Sequence, residues 1–546
     1  MKILLLITAF NAQAQAVFTA LRDRGDEVTV TFTINELQVL EEIEDFNPEL
    51  ILCPVLQTFL PSSIYEAYPT YIFHPGPRGD RGSYALEHAL QNDTKEWGLV
   101  ILRANASYYC GDIYAEVHFP VRDTYKASLY RHEIVFASYK ALDLFFKNLK
   151  NDIKVPQITN AIHEEVTLGK RKIDWRKDDT KTIIDKIYFS DADPGAPNEI
   201  LGVQYYLFGV HKEDKLRGKP KEILAKRDGA ICLGTIDGAV WVSHLKEIGK
   251  FKLPASHVLE EKLQNIKEDP LPLCFDRSYD TFYEISVDIR DDVGYLHFNF
   301  HNGAMSTQQC EKLTRAVETL KKQCKVLVLI GGEDFFSNGI DLNLLEDSDK
   351  QSEATWENIN AINNLVSSVL YAEEIVTIAS FQANGAAGGL FMGLACDYMV
   401  AKEGVVLNPH YKTLGLSGST YHTYSLPKRV GREKAQELLD ACLPLSAKEA
   451  KALGMLDDVY AQESYAEDLH AFAKSAYSDA YILDKKAYLE KNKGHIESLK
   501  EKELEVVWSE LSEGSSLFHA LRKNFVYKIS PKVTPARLKV NFKTST

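Results

Sequence analysis

Between residues 1 and 150, short apolar runs alternate with amphipathic stretches of helical period, and this rhythm constrains the fold more than any other feature. Lys2–Thr8 is an apolar strand, and Ala12–Arg24 is helical and stops at Gly25. Glu27–Thr33 alternates as a second strand, Ile34–Phe46 is helical, and Leu50–Pro54 is a short buried strand. Tyr71–His74 ends in His-Pro-Gly, Ser83–Gln91 is helical, and Trp97–Ala104 is a strand again. Strand–helix–strand alternation predicts a mainly parallel sheet covered by helices, which binds ligands at the carboxyl ends of its strands. His74 stands at such an end.

The character then changes. Lys147–Lys181 is charged and less periodic and reads as a linker. Residues 182–265 become short strands, Gly202–Phe208, Glu222–Arg227, Ala230–Thr235 and Val240–Leu245, with Asp228-Gly229 and Asp237-Gly238 as hairpin turns. This predicts a small β-barrel. Residues 280–460 return to α/β. Glu284–Ile289 and Val293–Phe298 read as a hairpin joined by Asp291-Asp292, and Ser306–Gln323 is an amphipathic helix. Val326–Ile330 runs into a glycine-bearing loop, Gly331–Gly339; Thr355–Tyr371 is helical and Ile375–Ser380 is a strand. From about residue 461 the chain is helical and highly charged, up to a basic tail, Tyr527–Thr546.

Composition narrows the class. The 546-residue chain carries a formal charge of −14, which disfavours nucleic acid as a partner. Its eight cysteines are scattered without a CxxC, so neither a metal site nor a disulfide framework is expected, and reduced thiols in a cytoplasmic protein are. The apolar run at the N-terminus is short and followed at once by a helix, as in a buried first strand rather than a signal peptide. Ile375–Cys396 is uncharged but contains Gln382, Asn384 and four glycines, so a strand–loop–helix is expected there and no membrane span.

Two constellations carry chemistry. In the first, a strand, a polar loop ending in Leu60-Pro61, and a second strand ending at His74-Pro75 resemble the formyltransferase family that uses 10-formyltetrahydrofolate. The resemblance extends through Asp193-Pro194-Gly195-Ala196, Pro220, Gly229 and Asp237-Gly238 and covers roughly residues 1–260. Formyl transfer passes through a tetrahedral oxyanion, which a histidine at a strand end can bind while moving a proton. The resemblance implies that Leu56, Gln57 and Thr58 form the pterin loop, and it places Tyr109 and Gly111 beside the ligand. The family's asparagine before the histidine is Ile72 here, and its catalytic aspartate position is Tyr109, which leaves Asp112 as the nearby carboxylate.

In the second, Phe335–Leu342 and Asn384–Gly389 each follow an apolar strand and resemble the two oxyanion-hole loops of the crotonase family. Cys396-Asp397, Pro409, Leu414-Gly415, Arg429-Val430-Gly431, Ala447, Glu449-Ala450 and Gly454 continue in the family's order, over about residues 283–460. The resemblance implies that the backbone N–H groups of Ile340 and Gly388 bind a thioester oxygen, with Gly339 and Gly389 lining the coenzyme A site. Gly389 is the alternative to Gly388, because the second loop is two residues shorter than the family's. The acidic positions of the family's hydratases fall on Phe391 and on His410 or Tyr411, so ordinary hydration is not expected. His410 and Tyr411 open a stretch to Tyr424 rich in proton-donating side chains.

The expected architecture is α/β and multidomain: a Rossmann-like formyltransferase domain (1–165), a linker and small OB-like β-barrel (166–275), a crotonase-like domain (276–460), and C-terminal helices with a basic tail (461–546). This order resembles a family of hydrogenase maturation proteins. It implies transfer of a formyl group from 10-formyltetrahydrofolate to coenzyme A, then loss of carbon monoxide from the formyl thioester. Coenzyme phosphates would lie on basic residues such as Arg131, Arg537 or Lys539. The expected partners are these small molecules and other hydrogenase maturation proteins. A hydrolase releasing formate, or a scaffold that only binds folate and coenzyme A, remains open at this point.

Overall fold

The structure is a computed structural model and describes residues 1–107, 109–158, 162–512 and 517–540. It divides into two compact units: residues 1–270, 277–282 and the tail from Pro531 form one, and residues 271–276 with 283–530 the body of the other.

In the first unit, β1 (Lys2–Ile7), β2 (Glu27–Phe32), β3 (Leu50–Cys53), β4 (Thr70–His74), β5 (Glu96–Arg103) and β6 (Ile113–Pro120) form one sheet in the order β2-β1-β3-β4-β5-β6. β1–β4 are parallel, as expected, but β5 is antiparallel to β4 and β6 to β5. The chain passes from β4 to β5 through the seven-residue helix Ala85–Gln91. The helix Ala12–Asp23 starts on Asn11, whose side chain accepts the Ala14 N–H, and the chain turns out of it at Gly25, φ +83°. β2 is an edge strand, and the tail covers it. The Phe32 N–H donates to Thr534 Oγ1 (3.0 Å), the Val540 N–H donates to Thr29 Oγ1 (3.4 Å), and Lys539 Nζ pairs with Glu42 (3.0 Å). The last six residues of the predicted basic tail, 541–546, lie outside the described residues, as do 159–161 of the predicted linker.

The linker is more ordered than its composition suggests. The helix Glu133–Lys150 runs into it, and Thr180–Ser190, read at its end as the start of the strands, is a helix capped by Asp179. The small β domain follows, an antiparallel sheet of strands 196–200, 203–213, 239–247, 230–234 and 223–227 in that order, with 252–254 pairing beside 239–247. Asp228-Gly229 is the expected two-residue turn, with φ of +48° and +81°. Asp237-Gly238 instead belongs to a four-residue loop. Its carboxylate accepts the backbone N–H (2.8 Å) and hydroxyl (2.7 Å) of Thr180, fixing the domain's helix to its sheet.

In the second unit, the strands Ile285–Arg290, Val293–Phe298, Val326–Ile330, Val376–Phe381, Tyr398–Lys402 and Asp458–Tyr460 form a sheet in that order. All its pairings are parallel except the first hairpin, whose turn residues Asp291 and Asp292 both adopt positive φ, 52° and 61°. Short strands Phe335–Ser337, Asn384–Ala386, Val406–Asn408 and Leu445–Ser446 form a second sheet that carries the glycine loops. Ile375–Cys396 is a strand, a loop and a helix, and no helix among the described residues is long and apolar enough to cross a membrane. Helices Tyr465–Ser475, Asp479–Ser512 and Leu517–Val526 complete the unit.

Candidate functional site

Three loops follow the carboxyl ends of neighbouring parallel strands in the first unit. Thr8 follows β1, Val55–Thr58 follows β3, and His74 ends β4. The Thr8 N–H donates to Val55 O (2.9 Å), and the Gln57 N–H donates to Thr8 Oγ1 (2.9 Å), so the predicted pterin loop is tied to the same edge as His74. Leu56 is half-buried, whereas Gln57 and Thr58 are exposed.

His74 is fully buried, and its Nε2 lies 2.7 Å from Asp80 Oδ1. The turn Pro75–Asp80 folds the carboxylate back, and Gly76 permits the approach: a Cβ there would fall 2.4 Å from Asp80 Oδ1. Asp80 Oδ2 lies 2.7 Å from Nε2 of His163, whose ring stacks on His88 at 4.4 Å. The other ring nitrogen of His74, Nδ1, is buried with no hydrogen-bond partner. Tyr109, at φ +53°, packs its ring 4.4 Å from that of His74. Gln157 ties the surrounding loops, accepting the Gly79 N–H (2.7 Å) and donating to Tyr109 O (3.3 Å).

The carboxylate against His74 is therefore Asp80, not Asp112. Asp112 is exposed, and its backbone carbonyl accepts the Arg103 N–H (2.8 Å). Gly111 is buried beside that pairing, and Ile72 lies in β4 opposite Leu102. With Nε2–H held by Asp80, Nδ1 presents a bare lone pair that can take a proton. Arg131 is half-buried, and its charge adds to the burial that holds Lys252 below the usual lysine range; Lys246 acts the same way and Asp191 opposes them. Arg537 lies over the Phe10 ring, and Lys539 is engaged by Glu42.

In the second unit, the loop after Val326–Ile330 and the helix Ala387–Leu394 meet at their glycines. Gly339 has φ +86°, and a Cβ on it would lie 3.2 Å from the backbone nitrogen of Gly388. Gly389 packs tighter still, with a Cβ falling 2.4 Å from Ser337 O. Gly339-Ile340 pairs with Ala304-Met305, which fixes the direction of the Ile340 backbone. The helix cap, Ala386, makes no side-chain hydrogen bond to the first N–H groups of the helix. Gly339, the neighbour of Ile340, thus lies against the backbone of Gly388.

Phe391, one turn along that helix, is fully buried and stacks on Tyr411 with ring centres 5.2 Å apart. The Tyr411 hydroxyl donates to Ser419 O (3.2 Å) and also bonds the Thr420 hydroxyl. Burial pushes this phenol well above its ordinary pKa, against the opposing effect of the Thr420 bond. His410 is half-buried, with Nδ1 3.3 Å from Thr413 Oγ1. Two groups the sequence did not single out complete the site. His422 is 6% exposed and packs on Phe391 and Tyr411 at 5.7 and 5.6 Å. Glu503, from the helix Asp479–Ser512, lies 3.2 Å from His422 Nδ1. His422 stands in the His/Tyr-rich stretch, but Glu503 lies far along a charged helix with no local motif.

A formyltransferase-type module joined to a crotonase-type module is the class these features define. Residues 166–263 match the model for the formyl transferase C-terminal domain, and residues 290–508 that for enoyl-CoA hydratase/isomerase. The chain is 31% identical to hydrogenase maturation factor HoxX of Bradyrhizobium diazoefficiens over 98% of its length and 96% of that protein's. Crystal structures of HypX from Aquifex aeolicus superpose over all of the chain and 99% of theirs at 37% identity. The TM-score is 0.96 for an engineered variant and 0.95 for the complex with tetrahydrofolic acid. The chain belongs to the HypX/HoxX family of hydrogenase maturation factors.

Proposed function

We propose that this protein makes carbon monoxide for nickel–iron hydrogenase maturation in two steps, with 10-formyltetrahydrofolate as formyl donor and coenzyme A as carrier. In the first, the coenzyme A sulfur attacks the formyl carbon, N10 of the folate leaves, and a proton passes from sulfur to N10. His74 moves it through Nδ1 while Asp80 holds Nε2. A thiol ionises more readily than an amine, so a single histidine suffices where the family's asparagine and aspartate positions hold Ile72 and Tyr109. Leu56, Gln57 and Thr58 hold the pterin through the loop backbone, and Arg131 with Lys246 and Lys252 offers cations to coenzyme phosphates.

In the second step the formyl thioester loses carbon monoxide and regenerates the thiol, its oxygen bound by the N–H groups of Ile340 and Gly388. The observation that carries this reading is Phe391, an aromatic ring sealed under Tyr411 where a hydratase carboxylate would activate water. A site that keeps its oxyanion hole and loses its water-handling acid suits an acyl group that breaks down without hydration. The binding of tetrahydrofolic acid by the Aquifex aeolicus relative supports the folate half.

The test is anaerobic incubation with 10-formyltetrahydrofolate, with and without coenzyme A, using ferrous myoglobin to report the gas. A coenzyme-A-dependent signal lost in His74→Ala is expected. Formate instead of gas would make the protein a hydrolase. Binding of both ligands without turnover would make it a scaffold.

A further inference from the structure

The acidic positions of the hydratases are lost, yet a carboxylate reaches this site from another part of the chain. The buried residues of the helix Asp479–Ser512 include Ile482, Leu489, Ile496 and Glu503, spaced by seven, so Glu503 takes the fourth place in an otherwise apolar stripe. A carboxylate buried there is costly unless it is bonded. Glu503 Oε1 accepts the backbone N–H (2.7 Å) and hydroxyl (2.5 Å) of Thr423 and lies 3.2 Å from His422 Nδ1, while Oε2 is buried with no hydrogen-bond partner.

His422 Nδ1 also lies 3.1 Å from Ser419 O. Two acceptors on Nδ1 make it the protonated nitrogen, so Nε2 carries the lone pair. The ring rests on Phe391, one helical turn from the Gly388 N–H. Gly418 leaves room for it, since a Cβ there would fall 2.4 Å from Tyr411 Cδ2 and 3.1 Å from His422 Cε1. The tyrosine is a poor base, because its proton is committed to Ser419 O and Thr420 and burial holds it on the oxygen.

We propose that His422 is the base that removes the formyl proton in the second step and that Glu503 positions it. This rests on the decarbonylation reading above. His422 Nε2 takes the hydrogen of the H–C(=O)–S group as a proton. The C–H electron pair stays on carbon as carbon monoxide forms, and the C–S pair leaves with sulfur. The proton then passes from Nε2 to the thiolate, so one formyl thioester gives one carbon monoxide and one thiol. Glu503 steadies the imidazolium through Nδ1–H.

The test uses the full chain with coenzyme A and 10-formyltetrahydrofolate bearing either hydrogen or deuterium on the formyl carbon. Carbon monoxide is read with ferrous myoglobin, and formyl thioester by quenching and trapping with hydroxylamine. A primary isotope effect on gas release is expected in the unaltered protein. His422→Gln should slow release about 100-fold or more and let formyl thioester accumulate. Glu503→Gln should lower kcat for gas release with little change in the coenzyme A KM, and Glu503→Asp should recover part of the loss. Glu503→Gln has the shape of the native side chain and decides the matter if His422→Gln does not fold. Full gas release from folded His422→Gln or Glu503→Gln overturns the assignment alone. Formyl thioester without gas from the unaltered protein overturns the decarbonylation reading and the assignment with it.

Discussion

Asp80 Oδ1 lies 2.7 Å from Nε2 of the fully buried His74, and this contact fixes which nitrogen of the ring is left to act. His74→Gln should lower formyl transfer by about 100-fold or more, measured as coenzyme-A-dependent tetrahydrofolate formation. Asp80→Asn keeps the shape but frees the tautomer, so it should lower kcat while leaving folate affinity nearly unchanged. Asp112→Asn should have little effect, because Asp112 is exposed.

Phe391 seals the second site. Phe391→Leu opens space under Tyr411 and, on the proposed mechanism, should admit water and shift the product from carbon monoxide towards formate. The ratio of the two products checks this directly. A fall in both together would show that the ring supports the fold rather than the dryness of the site.

Gly389 cannot carry a side chain without displacing backbone, since its Cβ would meet Ser337 O at 2.4 Å and Ser337 C at 2.5 Å. Gly389→Ala should destabilise the second unit by about 1–3 kcal/mol and lower its thermal midpoint. The thermal transition of the variant, followed by calorimetry, tests this.

Two histidines of the small β domain should make the first unit acid-sensitive. Burial holds His211 down to about 4; burial and the Lys252 charge hold His244 to about 3. Both lie below the unfolded value of about 6.5, so the unfolded chain binds more protons in this window. Their contribution is fully present above pH 6.5 and is lost as pH falls towards 4 and 3. The thermal midpoint should therefore drop between pH 7 and 5, before most carboxylates titrate, and His244→Gln should flatten the drop.

The strands and the first two helices of the opening 104 residues were legible because each buried run is apolar and both helices start on a capping asparagine, Asn11 and Asn35, the first ending before Gly25. The antiparallel β5 and β6 were not, because a strand's own residues do not report the direction of its neighbour. His74 was legible from its place at a strand end followed by Pro-Gly. Asp80 was hidden in the turn after it, where an aspartate is ordinary, and it reaches His74 because Gly76 lets the loop fold back. The meeting of Gly339 and Gly388 could be read from two local motifs, whereas Glu503 could not. Its seven-residue spacing places it on a buried stripe, but the partner of that stripe, Thr423 and His422, lies some eighty residues away.

The hold of the tail on β2 has a consequence for how the molecule is made. Thr534 and Val540 are bonded to Phe32 and Thr29, yet they leave the ribosome about five hundred residues after them. Throughout synthesis of the second unit, the outer strand of the first sheet waits uncovered, open to pairing with a neighbouring nascent chain. Residues far along the chain therefore close a strand made some five hundred residues before them, and a chain ending ahead of Thr534 would carry both folded units with the edge of its first sheet left unguarded.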